Sequence, residues 1–235
     1  MSNPAESRPK TAYHRLLIGF NHHMECRNML AFAAQVARVA EVELVAGVFV
    51  EDQQLLDLAR LPFSSEILAS SGMVRNFDAS RVESDLRAIA LGMHTALRKL
   101  AEQAHRQYSF QIVRGHLLHE LVAQAGAEDL ILLRTADYPW HNAPRQAAPG
   151  GPVLLLQSED TGNGALLGLA QEIARSLKLQ ISVLQNYDGP KSLRDLRASL
   201  IIAPSTLFDK GRADIDAFVD AAPAPVLIVP ANPAA

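Results

Sequence analysis

The chain is constrained most by eight short, mostly apolar runs that do not strictly alternate with polar residues. They are Arg15–Phe20, Glu43–Val50, Phe110–Gly115, Asp129–Leu133, Pro152–Gln157, Leu179–Leu184, Leu200–Ala203 and Val226–Val229. A strand with one wet face alternates, whereas a strand covered by helices on both faces reads as continuously apolar. The runs therefore predict strands of a mostly parallel sheet with helices on both faces.

The intervening segments carry helical periodicity. Leu30, Ala33, Ala34 and Ala37 form a stripe of mostly small residues, suited to close packing on a sheet. A long helix is predicted from Arg81 to Gln107, with apolar residues from Leu86 to Ala104 recurring at three and four. Ser80 and Glu83 have the spacing of a capping box at its start. A shorter helix runs from His116 to Ala125, with Gly126 at its stop. Leu55 to Leu61 suggests another helix. Leu61-Pro62-Phe63 and Ser64-Ser65-Glu66 then suggest a break and a second short helix, in a flap reaching Ala69.

Residues 134 to 151 break the rhythm with prolines and a glycine pair, and mark a junction. Beyond it the pattern restarts. Ala165 to Leu177 forms a helical stripe, Pro190 opens a short helix, and Ile215, Phe218 and Val219 mark a last one. Strand–helix–strand over 15–50 and again over 152–184 is an imperfect internal repeat. The expected architecture is α/β, an open Rossmann-like sheet built from two related halves. The organisation is an N-terminal arm over 1–13, a first domain over 14–150 and a shorter second one over 151–235. A closed eight-stranded α/β barrel is the competing architecture. Several connections are too brief to hold its helices.

At 235 residues and 49% hydrophobic, the chain can bury a core unaided. A net charge of -3 gives no basic footprint for nucleic acid or an anionic membrane. The single cysteine, Cys26, excludes an internal disulfide and fits a reducing compartment. The N-terminus lacks a secretory apolar region, and no run approaches the roughly 20 residues that span a bilayer. The expected location is the cytoplasm.

Several segments together resemble the universal stress protein family. His14-Arg-Leu-Leu-Ile-Gly-Phe-Asn21 is similar to that family's first strand and loop. Phe110 to Leu133 resembles its strand, glycine, helix and Ala-Asp-Leu-Ile-Val segment. Ala222-Pro-Ala-Pro-Val-Leu-Ile-Val-Pro230 resembles its closing strand, and Pro152 to Asp160 another first strand and loop. The resemblance implies an adenine-nucleotide-binding type of fold, with ATP or another adenine nucleotide as the cofactor. It also implies a homodimer. The family's phosphate loop, G-x2-G-x9-G-[ST], is not matched. Arg134-Thr-Ala-Asp137 follows the fourth run, and Ala203-Pro-Ser-Thr206 its second-half counterpart. Glycines there let backbone N–H groups approach phosphate without a Cβ in the way. Asn21 stands where ATP-binding members carry an aspartate. Both departures argue against ATP binding of the family kind.

The candidate ligand-binding residues are Asn21, His22, Glu51, Gly115, Arg134 and Thr135, all at or just beyond strand ends. In an open α/β sheet that is where ligands bind. His22, His23, Glu25 and Cys26 share one loop but lack metal-ligand spacing, so no metal site is assigned. His116 and His119 read as a solvated first turn, and Thr161-Gly-Asn-Gly164 as a helix-capping turn. Glu51 and Asp52 suit an acid–base pair or the start of a helix. Arg134 has two partners open to it, an anionic ligand or Asp137. No recognised catalytic motif is present. The expectation is a non-enzymatic stress-response or regulatory protein, dimeric and open to a protein partner. The alternatives are a nucleotide-binding switch with a divergent site, and a small-anion enzyme or metal protein.

Overall fold

The computed structural model describes residues 13–21, 26–61, 65–67, 72–76, 78–134, 150–157, 163–185, 187, 189–193, 196–208 and 212–230. The first half contributes strands β1 (Arg15–Phe20), β2 (Leu44–Asp52), β3 (Ser65–Ile67), β4 (Val74–Asn76), β5 (Gln107–Gly115) and β6 (Asp129–Leu133). Its helices are α1 (Cys26–Val39), α2 (Gln53–Ala59), α3 (Ala79–Ala104) and α4 (Leu117–Gln124). The second half adds β7 (Val153–Leu156), α5 (Asn163–Leu177), β8 (Ile181–Leu184), β9 (Leu200–Pro204), α6 (Arg212–Ala221) and β10 (Val226–Val229). Two 3-10 turns, Pro190–Leu193 and Ser205–Phe208, complete it.

Eight strands form one sheet in the order β5-β2-β1-β6-β10-β9-β7-β8. The sheet is open, so the barrel alternative is excluded. Every pairing is parallel except β6 with β10, which is antiparallel. The seam between the halves is that one antiparallel pair. The carboxyl ends of β1, β2, β5 and β6 therefore point one way and those of β7 to β10 the other. The chain carries two carboxyl edges, on opposite margins of one sheet.

Strand alternation divides the core by face. Leu16, Ile18, Phe20, Val45, Phe49 and Leu132 join a cluster with α1, α3 and α5. Leu17, Val48, Val50, Ile131 and Leu133 join a second with α4 and α6. Both clusters cross the seam, so each half lacks a closed core without the other. Fully burying each such Leu, Ile or Phe is worth about 1.5–3 kcal/mol, which explains why the runs are apolar throughout. Tyr13, assigned to the arm, is buried in the first cluster, and burial raises its phenol pKa above 10.0.

Helix ends differ from expectation for a local reason. α3 starts at Ala79, because Asp78 caps it by accepting from the Ser80 N–H at 3.1 Å. Ser80 also donates its hydroxyl to Asp78 at 2.8 Å, so the expected capping box is replaced by an aspartate cap. At the other end His105 adopts the left-handed conformation, φ 53°. The Arg106 N–H returns to the Ala101 carbonyl at 2.9 Å, a terminating pattern that usually uses glycine. β5 accordingly begins at Gln107, inside the expected helix. Residues 65–67, expected as a short helix, form β3, which pairs antiparallel with β4.

Candidate functional site

Each strand of the first half ends at the same margin, and register fixes which residues meet there. β1 pairs with β2 so that Phe20 lies opposite Phe49, bringing Asn21 level with Val50. β2 pairs with β5 so that Glu51 lies opposite Arg114 and Asp52 opposite Gly115. β1 pairs with β6 through Ile18 and Leu132, and continuing that register sets Arg134 level with Phe20. Asn21, Glu51, Gly115 and Arg134 are therefore brought to one edge. His22 and Thr135 lie outside the described residues.

The best defined part of the edge is a chain of charges. Glu51 is buried, and its carboxylate accepts from Arg114 Nε at 2.8 Å. Arg114 also lies 4.0 Å from Glu83 of α3, and Glu83 lies 3.7 Å from Arg60. Arg60 in turn faces Asp57 at 3.7 Å. The hydrogen bond and charge of Glu51 raise the guanidinium pKa of Arg114. Because Glu51 is bound to Arg114, its own charge is paired rather than left as a bare acid. Strands about 4.8 Å apart put β5 and β6 about 14 Å from each other. Arg114 is turned to Glu51 and α3, so it does not share one small anion with Arg134.

Gly115 serves the adjoining helix. Its φ is +151°, and a Cβ there would stand 2.6 Å from Glu120 Oε1. The missing side chain lets Glu120, in the first turn of α4, fold over the strand end. His116 N-caps that helix without a side-chain cap bond, and its Nδ1 lies 3.8 Å from Asp216 Oδ1 of α6. His119 is exposed on the same helix. Among the described residues no group of three or more His, Cys, Asp or Glu could hold a metal ion. His23 and Glu25 lie outside those residues. Among the described helices none is long and apolar enough to cross a membrane.

The second carboxyl edge holds Gln157 after β7 and Ser205 and Thr206 after β9. Among the described residues, Thr206 Oγ1 is buried without a hydrogen-bond partner. Sequence reasoning placed Glu51 and Arg114 at strand ends but did not pair them, and it assigned Glu83 to a cap. The joining signal is three-dimensional, because β2, α3 and β5 meet only across 63 residues of chain.

No family model matches the sequence, and no curated protein matches it. Among solved structures, a universal stress protein from Archaeoglobus fulgidus DSM 4304 is similar over 94% of this chain and 97% of its own. Its TM-score is 0.45 and the identity 10%. A protein from the universal stress protein family from Burkholderia pseudomallei is similar over 75% of this chain and 98% of its own, at a TM-score of 0.33 and 12% identity.

Proposed function

We propose that this chain is a non-enzymatic regulatory protein of the universal stress type, acting in the cytoplasm. The observation that carries the reading is the Glu51–Arg114 pair. The buried carboxylate that would serve as acid or base at the edge is bound to a guanidinium. The sequence resemblance supports the type, and Arg134-Thr-Ala-Asp137 stands where a glycine loop would cradle phosphate. The test is ATP turnover by purified protein against a buffer control, with expected rates equal to the control. Hydrolysis well above it, lost on Glu51→Gln, overturns the reading.

A second reading is favoured by strand register. Asn21 and Arg134 leave adjacent parallel strands within one residue of the same level. On this reading they form a divergent adenine-nucleotide switch, with Thr135 beside them in sequence. A ligand at a hundredfold its Kd stabilises the native state by about 2.7 kcal/mol. A rise in melting temperature with ATP, ADP, AMP or a cyclic nucleotide, abolished by Arg134→Ala, is the expected result. Unchanged melting at millimolar nucleotide removes this reading.

A further inference from the structure

Among the described residues the sheet ends in two edge strands, β5 and β8, of unequal length. β8 is four residues long, whereas β5 is nine. Natural edges are guarded by lysine, proline, bulges or shortness. β5 contains no lysine or proline, and its one charge, Arg114, is bonded to Glu51. The Gln107 N–H bonds the Glu43 carbonyl at 3.1 Å, so the odd residues face β2. Tyr108, Phe110, Ile112 and Arg114 then aim their backbone N–H and C=O groups away from the sheet. Among the described residues, exposed large apolar side chains fall between Leu58 and Ile112, Val183 excepted. Tyr108 and Ile112 on this strand are 38% and 49% exposed, and Leu91, one turn before His94 on α3, is 66% exposed.

We propose that two copies of this chain pair through β5, antiparallel, about a two-fold axis at Gln111. The pairing is self-complementary. Gln111 meets its own copy, Phe110 meets Ile112, and Tyr108 meets Arg114, an aromatic face against a guanidinium. Arg114, the strand's single charge, lies far from its own copy. The outward backbone groups of Phe110 and Ile112 fall opposite one another, as a hydrogen-bonded antiparallel pair requires.

The flanking helix fits the same axis. His94 stacks near Tyr108 and Phe110, at ring centroids 5.9 and 5.1 Å apart, and Glu83 reaches Arg114. With rises of about 1.5 Å per helical and 3.3 Å per strand residue, Gln111 is level with residues 90 and 91. The axis therefore brings Leu91 against its own copy and sets Glu83 of one chain across from Arg98 of the other. Arg98 is half-exposed and, among the described residues, pairs with Glu102 of its own helix at 3.7 Å. Opposite charges meet around an apolar centre, which selects a second copy as the occupant.

The test uses the full chain in sedimentation velocity over a concentration series. Wild type is expected at twice the 25.5 kDa of one chain. Leu91→Glu sets two carboxylates at the axis, and Ile112→Pro removes an outward N–H that no bond among the described residues uses. Each is expected to raise the dimer Kd at least about tenfold. Circular dichroism and melting temperature report folding, and Ile112→Lys replaces Ile112→Pro if the proline lowers melting. Register is read by cross-linking. Gln111→Cys is a non-hydrogen-bonded pair, with Cα atoms about 4.5 Å apart, and is expected to form a disulfide dimer under mild oxidation. Ser109→Cys faces Val113 and is not. A wild-type monomer throughout, a dimer unmoved by both edge variants, or cross-linking at residue 109 in place of 111 overturns the proposal.

Discussion

The first half holds two ion pairs of similar plan at opposite ends of its strands. Arg15 of β1 meets Asp129 of β6 at the amino end, and Arg114 of β5 meets Glu51 of β2 at the carboxyl end. Both carboxylates are buried. Their surroundings differ. Asp129 accepts from two nitrogens of Arg15 and from the Gly126 N–H at 2.7 Å, and Arg15 donates to the Gln124 carbonyl at 2.7 Å. That cluster closes the loop between α4 and β6 onto the start of β1. Arg114 makes one short bond, is half-exposed, and has Glu83 as a second partner. One pair is a clasp with its groups satisfied, and the other leaves guanidinium donors at the margin where ligands enter an α/β sheet. Burial alone does not separate them. The number of fixed partners does.

The comparison breaks first at the clasp. Asp129→Ala leaves Arg15 without its carboxylate, and removing one member of a buried pair costs about 3 kcal/mol. Urea unfolding is expected to show that loss with an unchanged slope. Arg114→Ala is expected to destabilise less, because Arg114 is half-exposed and solvent already reaches its end of the pair. Adding Glu51→Gln to it should recover part of the loss by removing the stranded charge. A loss from Arg114→Ala equal to that from Asp129→Ala would make the carboxyl-end pair a second clasp.

The smallest effect belongs to Asp78, an exposed carboxylate whose main partner is Ser80. The Ser80 hydroxyl bond, then the Ser80 N–H, hold its pKa below 3.8. A depressed folded pKa gives stability that is present above the unfolded value and lost as pH falls through the folded one. Asp78→Ala is therefore expected to melt lower than wild type at neutral pH. The gap should close below the ordinary carboxyl range, as followed by circular dichroism against pH.

The interior strands were legible because both faces are buried. Leu130 to Leu133 and Val226 to Val229 have nowhere polar to look. Helix ends were less legible where non-glycine residues do a glycine's work. Glu41, His105 and Lys178 carry positive φ after α1, α3 and α5, and none is a composition signal. The start of β5 was missed for this reason. The flap was misread because Ser65–Ile67 takes its conformation from its partner strand, Val74–Asn76. At the site, Asn21, Glu51, Gly115 and Arg134 could be placed on strand ends because strand order in sequence sets the margin. That Glu51 binds Arg114 could not be read, since adjacency of β2 and β5 is a property of the sheet.

The amino-acid sequence by itself determined the α/β class and the apolar interior strands, because burial on both faces leaves continuous apolar runs that local reading detects. Tertiary structure alone decided that the halves share one sheet through antiparallel β6 and β10, that their carboxyl edges lie on opposite margins, and that β5 is the long edge strand among the described residues. Those outcomes depend on which strand lies beside which. Strand pairing joins backbone groups common to all residues, so side-chain chemistry along the chain does not record it.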